Sequence, residues 1–110
     1  MLSKDLVAAS AEPLILSILS RREDYGYSII QEVRRLSNDK IQWTDGMLYP
    51  VLHRLEQRGC LGSRWEESES GRRRKYYFVT SKGRKALKTG KEQWAVVQLT
   101  LSKIWKEKYA

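Results

Sequence analysis

The sequence predicts a mainly α chain with one small β-hairpin, in the order helix, helix, helix, hairpin, long helix. Three observations carry this. Apolar residues recur at helical spacing in three stretches between residues 3 and 59. Two short stretches, 61–66 and 75–80, alternate in polarity or are rich in aromatic and β-branched residues, and they flank a polar loop. Beyond them Leu87, Gly90, Trp94, Val97, Leu101 and Ile104 keep a 3-4-3-4-3 spacing, a heptad-like seam. At 110 residues this is one domain with a long appended element. The division falls between residues 1–80 and 81–110.

The first helix is expected over residues 3–21. Its second half, with Leu14, Ile15, Leu16, Ile18 and Leu19, is apolar nearly all round, as in a helix buried on most sides. Pro13 either kinks it or starts a second half capped by Ser10. Residues 23–26 form a turn. The second helix, 26–37, buries Ile29, Ile30, Val33 and Leu36, and 37–40 end it. Ile41 and Trp43 alternate around Gln42 as a short extended piece. The third helix, 44–59, is capped by Thr44, buries Leu48, Val51, Leu52 and Leu55, and stops at Gly59. It keeps two breakers, Gly46 and Pro50, in its front half. The hairpin joins 61–66 to 75–80 through ESESGRRR, a long, flexible, basic tip. The last helix runs from Ser81 towards Tyr109.

Composition excludes several classes of function. No run approaches the ~18 apolar residues of a membrane span. The N-terminal apolar stretch lacks a basic lead-in and is broken by Glu12 and Pro13, so it is read as a core helix and the protein as cytoplasmic. One cysteine, Cys60, allows no intrachain disulfide and reads as a buried thiol. One histidine and one cysteine make no zinc site. His53 has no nucleophile signature around it, so no enzyme and no cofactor are expected. The net charge of +8 favours a polyanionic partner.

Three helices followed by a two-stranded wing is the order of a winged helix-turn-helix. In that arrangement the third helix enters the DNA major groove and the hairpin reaches the flanking backbone. Thr44, Asp45, Met47, Tyr49, His53, Arg54 and Gln57 lie off the third helix's apolar stripe and form the expected reading surface, with Met47 suited to a thymine methyl. Arg72, Arg73, Arg74 and Lys75 are four consecutive cations whose mutual repulsion an anion would relieve. Pro50 lacks an N–H and frees the carbonyl of Gly46, and Gly46 allows a close backbone approach, both at the end of the helix that meets DNA. A winged-helix module that binds protein or RNA is the alternative.

The motifs Gly46-Met47-Leu48-Tyr49-Pro50, Leu52-His53-Arg54-Leu55-Glu56 with Gly59, Trp65, and Gly71-Arg72-Arg73-Arg74-Lys75-Tyr76-Tyr77 with Thr80 resemble the PadR family of bacterial transcriptional regulators. Gly26-Tyr27 fits as well, and the resemblance covers the whole chain. Met47 stands where the family carries threonine, and Leu61 is a milder departure. The single long last helix resembles the short subgroup. The resemblance implies a dimeric repressor on a pseudo-palindromic operator, paired through Leu6, Trp94, Val97, Leu101 and Ile104. It also implies a planar aromatic effector held between the subunits by Trp94. Trp94 is otherwise only dimer core, and Trp105, off the seam, is expected against the partner's first helix.

Overall fold

Ser3 starts the first helix, its hydroxyl oxygen accepting the Leu6 N–H at 3.1 Å. The computed structural model describes residues 2–107. In it α1 spans Lys4–Arg21, β1 Asp24–Tyr25, α2 Gly26–Leu36, α3 Asp45–Gln57, β2 Leu61–Glu67, β3 Arg73–Val79 and α4 Ser81–Lys106. The expected reach of the last helix to Tyr109 lies outside the described residues.

α1 passes through Pro13 without restarting. Ser10 is no second cap, because its hydroxyl donates to the Val7 carbonyl at 3.1 Å inside the helix. α3 likewise runs unbroken through Gly46 and Pro50. Thr44 caps it by accepting the Met47 N–H. Its end is a Schellman motif: Gly59 adopts φ +80°, the Cys60 N–H donates to the Leu55 carbonyl at 2.9 Å, and the Gly59 N–H donates to that of Glu56 at 3.0 Å.

Three expectations need correction. Leu36, expected on the buried face of α2, is exposed at the end of that helix. Residues 24–25, read as turn, form a third strand, and the sheet order is β1-β3-β2, antiparallel throughout. Asp24 is buried there, its carboxylate accepting the Tyr25 N–H at 2.9 Å and the Ser28 hydroxyl at 2.8 Å. The hairpin is also longer and its tip shorter than expected, since β3 begins at Arg73 and pairs it with Glu67 and Arg74 with Glu66. The tip is residues 68–72, closed by Gly71 at φ +82° and by Ser68 N–H donating to the Arg72 carbonyl at 2.8 Å. Residues 41–43 form no strand, but Trp43 is buried and Ile41 packs against the core.

The core gathers Ile15 and Leu19 of α1, Ile29 and Val33 of α2, and Leu48, Leu52 and Leu55 of α3. The sheet closes it with Leu61, Tyr77 and Val79. The first turns of α4 are built into the same core through Leu87. Thr80 caps α4 on the Gly83 N–H and donates to the Gly59 carbonyl at 2.6 Å. At Gly83 a Cβ would lie 2.0 Å from the Cys60 carbonyl oxygen, so α4 approaches the α3–β2 corner as only glycine allows. From Lys91 to Leu101 every residue of α4 is exposed. The helix therefore projects, and the radius of gyration is 16.2 Å, against ~13 Å for a compact chain of this length.

Candidate nucleic-acid interface

The buried stripe of α3, Leu48, Val51, Leu52 and Leu55, turns the opposite arc outward. Gly46, Pro50, His53 and Gln57 occupy that arc and are exposed, as are Thr44, Asp45 and Arg54 on its flanks. A Cβ added at Gly46 would meet only Thr44 Oγ1, at 3.9 Å. No packing inside the chain therefore requires this glycine. Met47 differs from its neighbours: it is half-buried against the core, in a groove shared with Val7, Pro50 and Arg54. Tyr49 is 44% exposed, and its hydroxyl end lies across Gly26, where a Cβ would collide with the ring. That contact gives Gly26 a reason to be glycine. Partial burial, and then Asp45, raise the Tyr49 phenol above its ordinary value of 10.0, so it stays a hydrogen-bond donor at neutral pH.

The wing stands beside Tyr49. Arg72, Arg73, Arg74 and Lys75 line one groove of about 660 Å³ with Tyr25, Gly26, Tyr27, Tyr49, Trp65 and Tyr77. Four cations line it and no carboxylate does. The arginines Arg72, Arg73 and Arg74 take part in no ion pair among the described residues. Two of them lie instead on aromatic faces: the Arg73 guanidinium is 4.9 Å from the Trp65 ring centroid, and that of Arg74 is 4.4 Å from Tyr25. Such stacking holds a guanidinium in place and leaves its N–H fork open to phosphate.

Lys75 is placed differently. Its ammonium is 3.3 Å from Glu56 Oε1 of α3 and 5.2 Å from the Tyr77 ring centroid. The Ser63 hydroxyl donates to the other Glu56 oxygen. That bond, and then Lys75, hold the Glu56 carboxyl below its ordinary value of 4.5 against partial burial. The charged pair is therefore present at neutral pH and is lost only as the pH falls through that lowered value.

Sequence reasoning placed the arginines and the α3 face but not the aromatic floor beneath them. Tyr25 falls in the expected turn, and Trp65 and Tyr77 stand in the sequence as strand and motif residues with no contact to the arginines implied. The signal was the period of two, which puts Trp65, Lys75 and Tyr77 on one face of the sheet.

On α4, Val97, Leu101 and Ile104 are exposed together with Leu6 of α1, and Trp105 is 74% exposed. Trp94, 40% exposed, borders an apolar groove of about 420 Å³ with Leu2, Leu6, Pro13, Leu14 and Leu87. No described helix is long and apolar enough to cross a membrane.

Known proteins share this arrangement. The model of the "Transcriptional regulator PadR-like family" matches residues 15–89. A transcriptional regulator from Clostridium thermocellum superposes with a TM-score of 0.84 at 29% identity, over 94% of this chain and 97% of its own. A PadR-like transcriptional regulator from Bacillus cereus gives 0.83 at 27% identity, over 96% and 100%. The Escherichia coli (strain K12) transcriptional regulator YqjI is 29% identical over 85 residues, which are 77% of this chain but 39% of YqjI. These relatives are regulators of transcription and not enzymes, and the two solved structures share the winged-helix fold expected from the order of elements. With the family model covering well over half its length, the chain belongs to the PadR-like family of transcriptional regulators.

Proposed function

We infer that this regulator is a dimeric repressor that grips a pseudo-palindromic duplex operator with α3 and the wing of each protomer. The carboxylate-free groove of stacked arginines beside the exposed face of α3 carries the reading. Thr44, Asp45, Met47, Tyr49, His53 and Arg54 face the major groove, and Arg72, Arg73 and Arg74 take the flanking phosphates. Residues 1–80 bind DNA and 81–110 pair the protomers, in the cytoplasm. The seam of Leu6, Trp94, Val97, Leu101 and Ile104, exposed in one chain, is covered by the same seam of a second. Bound across the operator, the dimer blocks transcription. The test is duplex affinity against salt. About 8 phosphate contacts per dimer give a log–log slope near −7. A slope near zero, or binding to single-stranded RNA in preference to duplex, favours the protein- or RNA-binding alternative.

A second reading concerns release. The apolar groove under Trp94 has the size and lining of small-molecule sites, ~300–1,000 Å³ and mostly apolar. A planar aromatic effector stacked on Trp94 and favouring another spacing of the wings would weaken DNA binding by its differential affinity. Quenching of tryptophan fluorescence by planar aromatics is expected to vanish in Trp94→Ala. Quenching that persists in that variant places the effector elsewhere.

A further inference from the structure

We propose that Glu56 and Lys75 are positioning residues that clamp the wing to the recognition helix, and that Lys75 does not bind DNA phosphate. The inference rests on the DNA-binding reading above and takes Lys75 out of the four consecutive cations that the sequence assigns to an anion. Glu56 stands on the flank of α3 that faces the sheet. One of its oxygens accepts the Ser63 hydroxyl of β2 and the other accepts Lys75 of β3. A single carboxylate of the reading helix therefore holds both strands of the wing. Ser63 pairs with Tyr77 and Trp65 with Lys75 across the ladder, so Ser63, Lys75 and Tyr77 share the sheet face turned to α3. The Lys75 ammonium lies over the Tyr77 ring, and both partners of the ion pair are about two-thirds covered. Arg72 stands only three residues before Lys75 in the chain, about 10 Å away at strand rise. A small tilt at the clamp thus displaces the arginines relative to α3, and that offset has to match the distance from the major groove to the flanking phosphates.

The competing assignment, Lys75 as a phosphate contact, predicts opposite results. If Lys75 clamps, Glu56→Gln and Lys75→Met each weaken duplex affinity roughly tenfold, and the double variant is no weaker than either single one. The salt slope stays as in the unaltered protein, because no phosphate contact is lost. The exchanged pair, Glu56→Lys with Lys75→Glu, recovers much of the affinity although it places a carboxylate on the wing. If Lys75 binds phosphate, Lys75→Met flattens the slope by ~1.8 per dimer, Glu56→Gln binds more tightly by freeing the ammonium, and the exchanged pair binds worst. Any of those three results overturns the proposal.

Hydrogen exchange without DNA supplies an independent arm. Wing amides of residues 61–67 are expected to exchange roughly fivefold faster in Glu56→Gln, the ratio a lost charged hydrogen bond of modest net strength sets. Unchanged exchange removes the clamp. An unaltered protein that binds no duplex at all overturns the DNA-binding reading, while the exchange arm still judges the clamp.

Discussion

Alanine at Arg72, Arg73 and Arg74 together is expected to leave a folded dimer that no longer holds duplex DNA at physiological salt. The three guanidiniums project from the tip of the wing and the start of β3 and pair with no described carboxylate. Among the described residues no carboxylate competes with phosphate for them. If each neutralises one phosphate, about six contacts per dimer disappear and the log–log salt slope flattens by ~5. Over a fourfold change in salt that corresponds to ~10³ in affinity. Every sequence should lose affinity alike, because phosphate contacts position the protein and do not read bases. The cost to folding is small by comparison. Arg73 on Trp65 and Arg74 on Tyr25 are surface stacks, worth ~0.5–1 kcal/mol each, so thermal melting should fall by roughly 4–10 °C. Duplex affinity within a factor of two of the unaltered protein would contradict the role given to the wing.

Leu101→Asp, with Ile104→Asp as a second variant, is expected to yield monomer by sedimentation at micromolar concentration. Both residues lie on the projecting part of α4, half-exposed in the single chain and far from the core. Their substitution does not disturb the fold of the protomer. In a dimer each occurs twice. Losing two buried leucines costs roughly 3–6 kcal/mol, and placing two carboxylates in the apolar seam adds to that. The monomer keeps α3 and the wing but reaches one half-site only. It loses the effective concentration that tethers the second half-site, a factor of ~10²–10⁴. A dimer that persists in both variants means the seam is not the interface.

Much of this fold could be read from particular residues. Pro50 and Gly46 did not end α3, because four leucine and valine contacts on one face outweigh a missing N–H at a helix front. Gly59 and Thr44 set the ends of α3 through local chemistry alone, and both are where expected. Other features depend on partners distant in sequence. Four cations in a row suggested loop, yet Arg73 and Arg74 extend β3. The neighbours that hold them there, Glu67, Glu66, Trp65 and Tyr25, come from two other strands. β1 is too short to show alternation, and its buried Asp24 looks like a turn residue until Ser28 and the sheet are in place. Lys75 looked like the fourth of a set. Only the return of the hairpin against α3 brings it to Glu56, nineteen positions away.

Selection of bound duplexes from a random pool tests the central claim most directly, because it examines DNA binding, symmetry and spacing together. The account predicts enrichment of an inverted repeat whose half-sites lie about one helical turn apart, near 34 Å. That enrichment should be lost with alanine at Arg72, Arg73 and Arg74. A pool that stays unenriched, or that enriches equally with the arginine-free wing, would contradict it.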